Sequence, residues 1–316
     1  MDIKQLIRRK ELLDLKHIDI SNKEWLYMLG EETRNSVAIE GVFVSEKDLE
    51  AVITRHTEEK NVKAEIINYF RAAQVFYDYA LNYRNSKEKP HYLHIIRTLH
   101  SQLHKSLNVH YHIGEFRKNS VQITNARITP PFDASEWIDF FLDYIDYALH
   151  NYDIHQAIAR IHTLFESIHP FSDGNGRVGR LFMNFVLITK GYVNICIKGL
   201  KKQERSRYYE ALEKADTGIE EMFKAENCDY NTKVTLIEKG NFSLIEEIIY
   251  DAMLEAMNRC IIMHIDEKNI MSVPQLASLL GITEPAVKKR IKTGSLIASK
   301  MGTGKWKVYP ELEWGK

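Results

Sequence analysis

The run His169-Pro-Phe-Ser-Asp-Gly-Asn-Gly-Arg-Val-Gly-Arg180 gathers at one place most of the residue types that could do chemistry. Gly174 and Gly176 allow a tight turn with its amides pointing inward, and a helix starting there presents its free N–H groups and positive dipole end to the same loop. Together these make an anion cradle. Arg177 and Arg180 stand three apart on one helix face, so two guanidinium forks reach a second and a third phosphate, a geometry lysine would not reproduce. A triphosphate fits the count. Asp173 offers one hard oxygen at the mouth, and Mg²⁺ commonly binds through one or two carboxylates plus substrate phosphates, so a metal nucleotide is implied. His169 sits at the loop entrance with an ordinary pKa near ~6.5, which suits a general base that deprotonates an incoming hydroxyl. Phe171, between them, is expected to point inward and anchor the loop.

A loop of this kind needs two helices to hold it, and the flanking sequence supplies them. Ile158, Ile161, Leu164, Phe165 and Ile168 recur at helical spacing before it, and Leu181, Phe182, Phe185 and Val186 after it. The same spacing recurs in Ile66, Phe70, Ala73 and Tyr77 and in Trp137, Phe140, Phe141 and Tyr144, so the fold class is mainly α. Ser45 to Asp48 reads as a capping box, and Asn85–Pro90 and Thr129–Asp133 read as loops. Val121 and Ile123 alternate with polar residues in Ser120–Thr124, which predicts a short hairpin arm. A long helical pattern runs from about Asn241 to Ile265, and a boundary is expected after it.

The 316 residues suggest one main domain and something smaller, and 44% hydrophobic with 27% charged residues is the composition of a folded, soluble chain. Lys plus Arg and Asp plus Glu both total 43, so no global field draws the protein to nucleic acid or membrane. Cys196, Cys228 and Cys260 are far apart and form no C-x-x-C pair, which argues against a disulfide framework or a cysteine zinc site. Met1–Lys10 lacks the apolar stretch of a signal peptide, and no run approaches the ~18 apolar residues of a membrane span. The expected address is cytoplasmic, with no membrane partner. His100 and His104 could offer two metal ligands on one helix face, but no third accompanies them, and zinc is not expected.

Residues 169–180 match the motif H-x-F-x-[D/E]-G-N-[G/K]-R-x-x-R without departure, and on that match the chain resembles the Fic family. The resemblance implies an all-helical core in which His169 is the base and Asp173 the Mg²⁺ ligand. It implies that Gly174, Asn175, Gly176 and Arg177 hold the α- and β-phosphates of ATP, and Arg180 the γ-phosphate. The reaction implied is in-line attack by a Ser, Thr or Tyr oxygen of a target protein on the α-phosphorus, with pyrophosphate leaving. Asn119, Ser120, Val121, Gln122 and Ile123 resemble the β-hairpin flap that pairs with the target's backbone. Arg207–Asp216 resembles the helix lining the adenine pocket, with Tyr209 and Asp216 at the contacting positions.

Ser36-Val-Ala-Ile-Glu-Gly41 fits the family's inhibitory pattern [S/T]-x-x-x-E-[G/N], which places Glu40 on Arg180 at the end of a helix preceding the core. Ser36, Glu40 and Gly41 therefore read as an inhibitory segment. From Thr283 to Lys307 seven bases face Glu284 alone, a balance of +6 that leaves −6 for the remainder. Val273–Ile291 has a helix-turn-helix layout, and Gly294–Tyr309 reads as a two-stranded wing, resembling winged modules of the excisionase type. The expected domains are N-terminal helices over 1–60 with the inhibitory motif at 36–41, a catalytic core over 61–235, and a linker helix with a winged helix over 236–316. DNA is a candidate partner through residues 272–309, and a homo-oligomer is open. The reading is a protein adenylyltransferase restrained by Glu40 and acting also on itself. Its rivals are an enzyme that transfers another phosphate-containing group or removes AMP, and a DNA-binding regulator whose core senses nucleotide.

Overall fold

The computed structural model describes residues 1–13, 23–55, 63–123, 126–225, 228–301 and 304–310. Its centre is the helix pair that the flanking periodicity predicts, α7 (Ile154–Ile168) and α8 (Asn175–Thr189), joined by the motif loop. Ahead of them run α1 (Ile3–Leu12), α2 (Lys23–Ile39), α3 (Glu46–Arg55), α4 (Ala64–Ser86), α5 (Tyr92–Leu103) and α6 (Ser135–Asn151). After them come α9 (Lys202–Ala215), α10 (Thr217–Lys224), α11 (Tyr230–Ile237), α12 (Ser243–His264), α13 (Val273–Leu280) and α14 (Glu284–Lys292).

The apolar stripes of α7 and α8 are wide enough to be covered on several sides, and Leu164, Phe165, Val178, Leu181, Phe182 and Phe185 are all buried. Helices α4 and α5 pack on α8, and α6 and α12 on α7. Aromatic edges fix the approach: Tyr92 of α5 meets Phe182 with centroids 5.7 Å apart and rings at 88°. Half of the capping box before α3 is made: Ser45 Oγ accepts from Asp48 N at 3.1 Å, while the Asp48 carboxylate accepts from Ser45 Oγ at 2.6 Å rather than from its backbone N–H.

Helix α2 is held to the core by polar groups as much as by its buried Leu29, Val37 and Ile39. Glu32 Oε1 accepts from Tyr69 Oη at 2.9 Å and Tyr77 Oη at 2.6 Å, and Oε2 accepts from Asn194 Nδ2 at 2.7 Å. Burial pushes this carboxyl up to about 7, against the pull of those hydrogen bonds.

Helices α13 and α14 meet at a turn where Gly281 takes φ +62, and an antiparallel pair follows, β1 (Ile297–Met301) with β2 (Lys305–Tyr309), in register Ile297 opposite Tyr309. This unit has its own small core of Val273, Leu276, Val287, Ile291, Leu296 and Val308. Helix α12 belongs to the larger core: Ile245, Ile249, Met253, Met257 and Ile261 are buried there.

The predicted hairpin arm takes a reduced form. Residues 119–123 run without strand pairing, and one antiparallel bridge, Lys118 to Asp133, closes their base; Thr124 lies outside the described residues. The alternation does set the faces, with Ser120 and Gln122 exposed and Val121 and Ile123 half-buried. Two apolar residues give an isolated ribbon too little to bury, so its edge is left open.

Candidate active site

Helix α7 ends at His169, whose backbone adopts φ +51, a left-handed conformation that a non-glycine residue takes at a cost. That turn folds the ring back on its own helix, where Nδ1 lies 3.2 Å from the Glu166 carbonyl. A carbonyl only accepts, so Nδ1 carries the proton and Nε2 keeps the lone pair. Burial foremost lowers the pKa of His169, which keeps the ring neutral near pH 7.

The loop that follows is braced from within. Phe171 is fully buried and stacks on His100 of α5 with centroids 4.0 Å apart and 10° between planes, the anchor that its place in the motif predicts. Asn175 Oδ1 accepts from Phe171 N and Asn175 Nδ2 donates to Phe171 O, both at 2.8 Å. Its side chain therefore ties the loop shut, and only its backbone N–H is left for an anion. Gly174 takes φ +75, and a Cβ there would sit 2.6 Å from His104 Cε1, so no other residue fits. No side chain caps the start of α8, which leaves its first N–H groups facing the mouth. His100 and His104 pack beneath the loop, and among the described residues no group of three His, Cys, Asp or Glu side chains could hold a metal.

Asp173 stands at the mouth with its side chain 63% exposed; Oδ1 accepts from Gly174 N at 2.6 Å, and Oδ2 lies 3.4 Å from Tyr111 Oη and 3.7 Å from Arg177 Nη2. Arg177 keeps its Nε buried with no hydrogen-bond partner. A buried guanidinium donor without an acceptor is costly, and a phosphate oxygen would satisfy it.

Arg180 is 3% exposed, and its guanidinium lies between Gly176 and the end of α2. Its Nε donates to Ser36 Oγ at 2.7 Å, and its Nη2 donates to Ser36 O at 3.1 Å and to Glu40 Oε1 at 2.7 Å. Burial acts to lower its pKa, but Glu40, Tyr208, Tyr69 and Glu166 outweigh that and raise it, so its charge is firmly held. Glu40 follows the last turn of α2, where Gly41 at φ +80 closes the helix. A Cβ on Gly176 would collide with Glu40 Oε1, which places that carboxylate over the open N-terminus of α8. A carboxylate side chain of the protein's own thus lies over the start of α8 and on Arg180 at once.

The outer residues fall around this centre. Tyr209 of α9, 45% exposed, donates to Ile39 O at 2.7 Å and so touches the inhibitory-pattern helix. Asp216 joins α9 to α10, and burial, with Glu220 and Glu213 nearby, pushes its carboxyl up to about 7. Asn119, Ser120 and Gln122 lie exposed beyond Arg117, a buried residue outside the motif. Arg117 Nε donates to His169 O at 2.7 Å, Nη2 to Ile168 O at 2.9 Å, and Nη1 to Asn119 O at 2.6 Å and Pro131 O at 2.8 Å. One guanidinium thus fixes the turn that bears His169 and the arm to each other. Nothing in the sequence marks it, because all its acceptors are backbone carbonyls.

A model of the Fic/DOC family matches residues 90–187, the stretch that contains the motif and the helices bracing it. A probable protein adenylyltransferase of Aquifex aeolicus is 30% identical over 301 residues, covering 92% of this chain and 88% of that protein. The protein adenylyltransferase Fic of Drosophila willistoni is 37% identical over 107 residues, 33% of this chain and 21% of that protein. Among solved structures, a Fic-domain-containing signalling protein of Bacteroides thetaiotaomicron shares the fold, with TM-score 0.59 and 22% identity over 82% of this chain and 97% of that one. The chain belongs to the Fic/DOC family.

Proposed function

We propose that this enzyme is a protein adenylyltransferase that moves AMP from ATP to a Ser, Thr or Tyr hydroxyl of a target protein, itself included, and that Glu40 holds the reaction back. The observation that carries the proposal is the position of Glu40, on Arg180 and over Gly176 at once. A site built for a ligand other than an anion would not need to be filled by a carboxylate.

His169 Nε2 takes the proton of the attacking hydroxyl, and the tautomer set by the Glu166 carbonyl leaves that atom free to do so. The first N–H groups of α8 and Arg177 receive the α- and β-phosphates, and Arg180 receives the γ-phosphate once Glu40 has left it. A single exposed carboxylate at the mouth, Asp173, suits Mg²⁺ shared with phosphates, and the ion would neutralise charge there. Tyr209 and Asp216 are the residues proposed to meet the adenine, and Asn119–Ile123 offer an unpaired edge on which target backbone could add. Among the described residues no helix is long and apolar enough to cross a membrane.

The exposed Lys288, Lys289, Arg290 and Lys292 on α14 favour one addition: the C-terminal unit is a winged helix that binds DNA.

Intact-mass measurement after incubation with Mg·ATP tests the catalytic proposal without a known target. Glu40→Gly is expected to gain the mass of AMP faster than the unaltered protein, by roughly ten- to a hundred-fold, since a charge-assisted contact contributes about 1.5 to 3 kcal/mol. Equal masses for both folded proteins would remove Glu40 as the restraint, and a gained mass other than AMP would change the cargo.

A further inference from the structure

Residues 191–201 carry the chain from α8 to α9 without helix or strand, so their backbone N–H groups need partners from elsewhere. Helix α2, along which this connector runs, supplies them. Lys198 Nζ donates to Glu31 Oε1 at 2.8 Å, and Asn35 Oδ1 accepts from Gly199 N at 2.9 Å and from Leu200 N at 3.3 Å. Asn35 is buried, and its Nδ2 donates to Glu31 O at 2.9 Å within its own helix, so the amide is held in one orientation. Gly199 lets the two backbones come this close: a Cβ there would stand 2.4 Å from Ile39 Cγ1 and 2.7 Å from Asn35 O.

Helix α9 completes the hold. Arg205 Nη1 donates to Gly199 O at 2.8 Å and to Leu200 O at 3.1 Å, and its guanidinium lies 5.2 Å from the centre of the Phe43 ring, just past Gly41. Tyr209 Oη donates to Ile39 O, one of the carbonyls that the end of α2 leaves without an intrahelical partner. The last turn of α2 is thus gripped by the connector and α9 on one side and by Arg180 on the other. Glu40 depends on that grip. Its side chain is 37% exposed and follows the helix, and it reaches Arg180 through one oxygen. A long side chain loses rotamer freedom when it is held in one place, and a fixed backbone beneath it lowers that cost.

We propose that Asn35 is the positioning residue of the restraint: by tying the last turns of α2 to Gly199 and Leu200 it keeps Glu40 on Arg180, and cutting that tie frees Arg180 with Glu40 and the whole motif intact. This rests on the reading that Glu40 holds the reaction back. The hydrogen bonds of Asn35 go to Glu31, Gly199 and Leu200, none of them a residue of the motif, so its loss acts on transfer through Glu40. The connector between α8 and α9 is then a second place at which the enzyme can be released.

The test is a double-mutant cycle on the full chain: the unaltered protein, Asn35→Ala, Glu40→Gly and Asn35→Ala/Glu40→Gly, each incubated with Mg·ATP and followed by the rate at which its mass rises by one AMP. Asn35→Ala alone is expected to raise the rate roughly three- to tenfold, short of Glu40→Gly, and to change the rate of Glu40→Gly by less than about twofold. A residue that merely supports the fold would alter both backgrounds alike, so equal effects in the two backgrounds overturn the proposal. Gly199→Ala approaches the same contact from the other side, keeping Asn35 and driving a methyl against Asn35 O and Ile39. It is expected to raise the rate only where Glu40 is present, and it takes the place of Asn35→Ala if that variant does not fold; no such rise overturns the proposal. Glu40→Gly itself separates the two levels. A gain there with none in Asn35→Ala sinks this inference alone, whereas no gain in Glu40→Gly sinks the reading of Glu40 and this inference with it.

Discussion

At the scale of single residues, the site is a set of side chains each kept from its alternatives by one or two contacts. His169 is the clearest case: a left-handed turn, a carbonyl on Nδ1 and burial together fix rotamer, tautomer and charge. His169→Ala is therefore expected to lower transfer by ~10² to 10⁴-fold while leaving the Kd for Mg·ATP nearly unchanged, because the cradle is made by other groups. Titration of nucleotide binding beside a labelled-ATP transfer assay separates the two effects, and a variant that still transferred at the original rate would take the base assignment away. The motif residues were legible because each carries a chemistry, or holds a turn, that only a few residue types can serve. Arg117, Asn35 and the bracing role of Asn175 were not legible, for a common physical reason. Their partners are backbone atoms, so no local spacing in the sequence encodes them.

At the scale of elements, α2 leads into the proposed restraint, Glu40, and its attachment combines apolar burial with a buried carboxyl that three hydrogen bonds hold to α4 and to Asn194. The helical runs around the motif were readable from period alone, while the end of α2 near Glu40 came from the resemblance of Ser36–Gly41 to a family pattern. The hairpin arm was overread, because alternation over five residues reports which faces are wet and dry but not whether a partner strand exists. Glu32 gives α2 a pH dependence whose sign can be worked out. Its folded pKa, about 7, lies above the unfolded value of about 4.5, so the folded state binds more protons between the two. Stability from this group is full below the unfolded value and is lost as pH rises through about 7, by roughly 3 kcal/mol in all. Glu32→Gln should remove that slope, since Gln keeps an oxygen for the tyrosines and Asn194, whose Oδ1 has no partner, can turn to accept from the new amide. Melting temperatures of both proteins from about pH 4 to 8 check it, with the difference between the two curves changing across that window. Parallel curves would mean that Glu32 titrates alike in the folded and unfolded states. Glu166 and Asp216 act with the same sign, which is why the comparison with Glu32→Gln, rather than the unaltered protein's own profile, isolates the effect.

At the scale of the whole molecule, the helical pattern and the charge distribution predict a basic C-terminal unit beyond a boundary near Ile265, and the packing ties that unit to the main core. Arg9 of α1 is fully buried, with Nε on Asn258 Oδ1 at 2.6 Å and Nη2 on Gly294 O at 2.8 Å and Leu296 O at 3.3 Å. Ile297 of β1 belongs to the main core, and α12 packs against α1 and both strands. Deleting residues after Ile265 would remove two of Arg9's acceptors and expose apolar faces of α1 and α12. Each hydrogen bond to a buried charge contributes about 1.5 to 3 kcal/mol, so the truncated protein is expected to melt several degrees lower. Truncation is for that reason a poor test of DNA binding. Reversing Lys288, Lys289 and Arg290 to Glu is the better one, because all three are exposed on α14 while Val287 and Ile291 alone hold that helix to its core. The triple variant should keep the melting temperature and the AMP transfer of the parent and lose DNA affinity, with the slope of log affinity against log salt falling by roughly one for each phosphate contact removed. A mobility-shift series over salt concentration reads this directly. Unchanged affinity and slope in the triple variant would mean that α14 does not meet DNA and that its basic face serves another partner.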